Sequence, residues 1–375
     1  MKRKLAILLV AVMCAGLFLA GCNNSGGADP QTTATDTTSG TTSDTVSDTV
    51  SDTAETFELK FSSFVMDFED TGKVAQYWID QVEEKTNGRV KITPYWGGTF
   101  ASHGEHPSLV ASGALELAMF APNIFVSEMP LNALVTYNIS EGYSREQMIE
   151  AAEALMFDNA ETAKILQAEE QRLNIKFLAP MLMGCEGCIS ARPFNSLADM
   201  QGWKVTSEGG MDSVWTNLDL SPVYVDVPDL YESFSRNVVD TVHLLTVPIT
   251  QLMLTETGKY YREWDSYYML GLPITVNLDI WNSLPADIQE IFIQASKDAA
   301  AYSVGLSEQS IDAAWSEMKD AGVDVGYFSP DDTAAFIKYA KEATVDNVWT
   351  DFTRTLGCEA DGKILLENWV YLLTD

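Results

Sequence analysis

The chain's three histidines are His103, His106 and His243, and the first two form a His-x-x-His shortly after Gly97-Gly98. Cys185 and Cys188 form a Cys-x-x-Cys that brackets Glu186. One cysteine pair and one histidine pair could hold zinc, because thiolate and imidazole are the ligands that ion prefers. The spacing between the pairs is long and no second cysteine pair supports them. This favours a local disulfide, or two buried thiols with surface histidines, and no metal or other cofactor; Cys358 could also pair with one of the two. Motifs of catalysis are missing: there is no Gly-x-Ser-x-Gly, no His-Glu-x-x-His and no phosphate-binding Gly-Lys-Ser/Thr loop. Ser316-Glu317-Met318-Lys319 spells Ser-x-x-Lys but lies late in a helical stretch without a Lys-Thr-Gly partner. No residue pattern here argues for an enzyme.

A site needs elements that hold it, and the stretch from Ala191 to Gly210 supplies the clearest. Ser196 can cap a turn over Leu197 to Met200, Gly202 can stop that turn, and Trp203 to Thr206 alternates as a strand. Ligands in open α/β sheets bind where strands end, which places Thr206, Ser207 and Glu208 at a cleft.

Around it the pattern alternates strand and helix. Strands are predicted at 57–61, 90–95, 115–120, 175–178, 222–225 and 238–247. Helices are predicted at 74–85, 146–171 and 230–236. From Pro285 the positions Ile288, Phe292, Ala295, Ala299, Tyr302 and Leu306 share one helical face. The helix either runs on to Asp320, roughly 54 Å at 1.5 Å per residue, or breaks near Gly305 into two.

The 375 residues carry 54 acidic and 23 basic side chains, a formal charge of -31. Such a surface repels phosphate backbones, so nucleic acid is not expected as a partner. Residues 1–21 read as a secretion signal, with Lys2-Arg3-Lys4 ahead of an apolar run too short to span a membrane. Leu19-Ala20-Gly21-Cys22 resembles the bacterial lipobox, which makes Cys22 the expected site of lipid attachment and of a membrane anchor. Residues 22–56 are rich in Ser, Thr and Asp and are read as a disordered tether.

From about Phe57 to Thr350 the chain resembles the extracytoplasmic solute-binding proteins of tripartite ATP-independent periplasmic (TRAP) transporters, of the C4-dicarboxylate-binding type. The resemblance is carried by Leu59-Lys60-Phe61, by Glu83 to Ile92, by Ser112 to Ala118 and by Asn195 to Lys204. Pro222, Tyr231, Val239-Asp240, Val276-Asn277, Trp281 and Leu284-Pro285 continue it in order. It implies an α/β fold of two periplasmic-binding-protein-like lobes closing on a ligand, with a long helix spanning both. Lobe 1 would take 57–183 plus 271–311, and lobe 2 would take 184–270 plus 312–375. It also implies a small-molecule solute and delivery to TRAP permease subunits in the membrane. An importer-type binding lipoprotein driven by ATP shares the two-lobe plan and is the alternative.

Family members usually carry an arginine two residues after the Lys of the Gly-x-Lys turn, where it forks onto a ligand carboxylate. Here Thr206 stands at that position. A second arginine lies some twenty residues earlier in relatives, and Glu186 takes its place. Three readings follow. The ligand is neutral or cationic, with Glu186 and Asp67 or Glu69 as counter-charge; or it is an acid held by Arg192 or Arg145; or the cleft holds a metal through His103, His106, Cys185 and Cys188. The first is favoured. The resemblance further places Phe64, Trp203, Trp215 and Tyr224 in segments that line the cleft, and His243 just after a ligand-contacting Val-Asp.

Overall fold

The computed structural model describes residues 55–137, 143–178, 180–207 and 211–374. The signal, the lipobox with Cys22, and Glu208 with its two glycines lie outside the described residues.

The chain opens with β1 (Phe57–Ser63), α1 (Asp70–Lys85), β2 (Val90–Tyr95), α2 (His106–Ser112) and β3 (Leu117–Met119). Three helices follow, α3 (Pro130–Leu134), α4 (Arg145–Glu153) and α5 (Ala160–Leu173), and then β4 (Ile175–Phe177) and β5 (Met181–Ser190). Next come β6 (Lys204–Thr206), α6 (Asp212–Asn217), β7 (Ser221–Val223), α7 (Leu230–Ser235), β8 (Thr241–Leu245) and α8 (Thr246–Gln251). Then β9 (Tyr260–Gly271) leads back to β10 (Ile274–Asn277), α9 (Leu278–Ser283) and α10 (Ala286–Asp320). The described chain closes with β11 (Asp324–Tyr327), α11 (Pro330–Lys341), α12 (Thr350–Thr355) and α13 (Glu359–Thr374).

These strands form two mixed sheets, one ordered β2-β1-β3-β10-β4 and the other β11-β9-β5-β8-β6-β7. Their link is the antiparallel pair β5 and β9, which runs from Met181 opposite Gly271 to Ser190 opposite Tyr260 with a first register shift between Leu182 and Gly184. Both strands continue into the first sheet, β5 backward through Pro180 to β4 and β9 forward through Leu272-Pro273 to β10. The ladder shifts between Cys185 and Gly187, which pair with Tyr268 and Glu263, so residues 264–267 bulge opposite the lone Glu186.

Local chemistry explains most boundaries. Ser196 accepts the amide of Asp199, and Gly202 sits at φ +75°, as expected for the turn ahead of β6. The helix expected over 146–171 is two: a wide turn at Ala154–Asp158 interrupts it, and Asn159 caps α5 by accepting Glu161 N–H at 3.0 Å. The strand expected to reach Val247 stops at Leu245, where α8 begins.

Helix α10 is continuous through Gly305 over 35 residues, which settles the question of a break. Its Ile288, Phe292, Ala295 and Ala299 pack with α1 and the first sheet, Ala300 and Val304 with Leu182, Leu270 and α4, and Ala314 and Met318 with β8 and Tyr261. Residues 359–374, expected with the second lobe, pack instead on α3 to α5, where Leu365 and Trp369 join Leu131, Ala152 and Leu166. An amphipathic terminal helix goes to the apolar surface still open, here the one those three helices leave.

Candidate functional site

Strand β6 ends at Thr206, which lies beside β8. The Thr206 hydroxyl accepts His243 N–H at 2.9 Å and donates to His243 C=O at 3.2 Å. It thus serves as a polar stitch between two strands, and the residue is 5% exposed. An arginine there would have to displace this stitch and desolvate its own charge.

His243 is enclosed by aromatic rings: Trp215 at 4.8 Å, Phe336 at 5.5 Å and Trp264 at 6.4 Å between centroids. Burial lowers its pKa to about 3, so the ring is neutral. The indole N–H of Trp264 donates to His243 Nε2 at 3.1 Å, which leaves the ring proton on Nδ1. On the same side Glu186 Oε2 lies 3.6 Å from Nε2. Two acceptors therefore face each other at the bulge of β9, and neither brings positive charge. Trp264, Tyr267 and Phe336 build this pocket of rings and had no signal in the sequence: the bulge breaks the alternation that would have marked β9, and Phe336 arrives from α11.

Arg192 does not join this group. It lies past the far end of β5, paired with Asp240 Oδ1 at 2.9 Å and stacked 4.0 Å over the Trp203 ring. Trp203 is 4% exposed and packs with Phe194 in the core. Trp215 is fully buried, and its indole N–H finds no acceptor among the described residues. Tyr224 stands exposed after β7 with its hydroxyl on Asp226.

In the first sheet, Phe64 follows β1 and stacks on His103 at 4.1 Å, with Phe125 edge-on to the same imidazole at 5.4 Å. His103 accepts the amide of Ala121 on Nε2, and burial with the neighbouring His106 lowers its pKa to about 4. His106 is wholly buried and shares a hydrogen bond with the Ser62 hydroxyl at 2.9 Å. Surface histidines were expected, and the structure corrects this: His106 is buried and His103 half-buried against Phe64 and Phe125. Asp67 is exposed, and Glu69, just ahead of α1, turns back to accept Met66 N–H at 2.7 Å.

The structure does not assemble the zinc reading. Among the described residues no group of three or more His, Cys, Asp or Glu side chains is placed to hold a metal ion. Cys185, Cys188 and Cys358 are free thiols, and burial pushes the first two well above the ordinary thiol range.

Arg145 occupies a different place, beside the strand link. Its guanidinium lies 4.7 Å over the Tyr268 ring, with Glu308 Oε1 at 3.8 Å and Cys185 Sγ at 3.9 Å. Its Nε is buried without a partner among the described residues. Below it Glu263, 2% exposed, takes hydrogen bonds from Thr246 at 2.6 Å and Trp315 at 3.1 Å, and burial raises its pKa.

This two-sheet arrangement has known counterparts. A TRAP periplasmic solute-binding protein of Desulfovibrio salexigens, with bound orotic acid, aligns at TM-score 0.68 and 18% identity, over 84% of this chain and 99% of that one. One from Rhodobacter sphaeroides, open and without ligand, reaches 0.72 at 17% identity, over 84% and 99%. Among curated relatives, the C4-dicarboxylate-binding periplasmic protein DctP of Rhodobacter capsulatus is 24% identical over 72% of this chain and 79% of its own. A monocarboxylate 2-oxoacid-binding periplasmic protein of Nostoc is also 24% identical, over 58% of this chain and 59% of its own length. The two-lobed fold and long α10 agree with these structures. The family model for bacterial extracellular solute-binding protein, family 7, matches residues 61–350, and to that family the chain belongs.

Proposed function

We propose that this chain is a lipid-anchored extracytoplasmic receptor that captures a neutral or cationic organic solute between its lobes and hands it to a TRAP-type permease. Family membership supports capture and delivery. The sequence around Cys22 supports the anchor. One observation supports the ligand's charge: Thr206 and Glu186, which the resemblance puts at the family's arginine positions, stand beside a neutral His243, the threonine tied to its main chain and the carboxylate 3.6 Å from its ring. A carboxylate brought there would lose several kcal/mol of hydration against no cation. An amine or amide would bring a donor to the acceptor Glu186 Oε2, since the one lone pair of His243 Nε2 is already taken by the Trp264 indole.

A second reading has its own support. The relatives named above bind acids, and the Arg145 Nε lacks an acceptor. An acid would then be taken beside the strand link, not at β6.

Thermal unfolding of the chain with amines, neutral amides and polyols, and mono- and dicarboxylates separates the two. A compound at 100 times its Kd adds about 2.7 kcal/mol, enough to move Tm visibly. We expect the shift among amines or neutral compounds, and Glu186→Gln to weaken an amine about tenfold or more. Shifts confined to carboxylates that vanish in Arg145→Met would overturn the first reading in favour of the second.

A further inference from the structure

A small cavity lies where the two sheets are linked, lined by Asn132, Val135 and Thr136 of the α3 region, Met156, Phe177, and the two crossover prolines Pro180 and Pro273. Its free space admits one water-sized group. Most of the wall is hydrocarbon. The exception is Asn132, which is 3% exposed.

The orientation of that amide follows from its partner. Asn132 Nδ2 donates to Glu169 Oε2 at 2.9 Å, and the main-chain amides of Leu131 and Asn132 donate to the same carboxylate at 3.1 and 2.7 Å. Both oxygens of this carboxylate already accept a main-chain N–H, and Arg172 lies 3.4 Å from Oε1, so it meets the amide as an acceptor: the amide nitrogen faces Glu169 and the oxygen faces away. That oxygen, Oδ1, is buried and has no hydrogen-bond partner among the described residues.

Among the described residues no donor of the wall bonds to it. The prolines have no N–H. The Thr136 hydroxyl spends its hydrogen on Ala133 C=O at 2.7 Å, and Phe177 N–H is spent on Glu170 Oε1 at 3.0 Å. Leaving a buried carbonyl oxygen unmet carries its full desolvation penalty, whereas a single occupant with a hydrogen to give removes that cost. Any occupant must bring its own donor.

We propose that this cavity is a receptor for one compact hydrogen-bond donor, accepted by Asn132 Oδ1 at the point where the chain crosses between sheets. The donor is either a resident water or the N–H end of a solute. The second source rests on the proposed amine or amide ligand, while the first is independent of it. Glu169 behind the amide polarises Oδ1 toward negative, and an anion is excluded by both groups. The site thus discriminates by what the occupant can donate.

The test is a pair of crystal structures of the whole chain, one grown in methylammonium chloride and one in sodium chloride at the same ionic strength. We expect a density peak within hydrogen-bond distance of Asn132 Oδ1. A peak in both crystals assigns resident water. A peak in the methylammonium crystal alone, matched by a Tm rise that sodium chloride does not give, assigns the N–H source. A cavity dry in both overturns the proposal. Failure of the ligand-charge reading would appear separately, as a thermal response to carboxylates only, and would leave a water peak in place.

Discussion

At the scale of single residues the strongest consequence concerns His243. Its ordinary pKa near 6.5 is held at about 3 by burial, so the unfolded chain binds a proton that the folded chain refuses between those values. The depressed pKa means that His243 imposes no penalty above pH 6.5 and an increasing one as pH falls toward 3, with a slope of about 1.4 kcal/mol per pH unit. His103 acts in the same direction down to about pH 4. Buried Glu169, Glu170 and Glu263, whose pKa values are raised by burial, act in the opposite direction above the ordinary carboxylate range, because there the folded form holds the extra proton. Subtracting a variant isolates the histidine. His243→Gln keeps an acceptor for the Trp264 indole and removes the titration. Between pH 6.5 and 4 we expect Tm of the parent to fall more steeply than that of the variant. Parallel curves would mean that the ring accepts its proton in the folded state.

At the scale of elements, what could be read from sequence followed from local rules, and what could not followed from contacts far apart in the chain. Ser196 and Gly202 announce their turn because a cap and a left-handed glycine act within a few residues. The apolar face of α10 shows at its period of three and four. Strand β9 was missed, since residues 264–267 bulge out of register and Trp264 and Tyr267 turn inward at a spacing no strand template contains. The candidate site was legible only in part for the same reason: Thr206 and Glu186 could be placed by comparison with the family, but the rings around His243 come from β9, α6 and α11. Gly305 marks the limit of period alone, since both a continuous and a broken helix fitted it. In the folded chain a Cβ at Gly305 would meet nothing within 4 Å. Gly305→Ala should then add about 0.4–1 kcal/mol by restricting the unfolded chain. The check is a chemical denaturation midpoint. A lowered midpoint would show that α10 needs the glycine to bend there.

For the molecule as a whole, α10 decides how stability is shared. Its first half fills the core of α1 and the first sheet, its last turns fill the core beneath β8, and Ser303 between them fixes the link by accepting Leu182 N–H at 2.9 Å. Apart from α10, the link between sheets is the β5–β9 pair, whose ladder is interrupted at the bulge. Two cores that share one uninterrupted helix should melt together, because losing either exposes the apolar face that the other half holds in place. The parent chain should therefore show a single calorimetric transition. Ser303→Pro removes the hydroxyl and breaks the helix at its midpoint, at a cost of about 3 kcal/mol or more. We expect the transition to split in two. The earlier one should belong to the second-sheet core, which holds only the last turns of α10, and the amide of Leu182 should exchange early. If the variant instead melts in one transition at lower temperature, the β5–β9 strand pair is enough to couple the two cores without the helix.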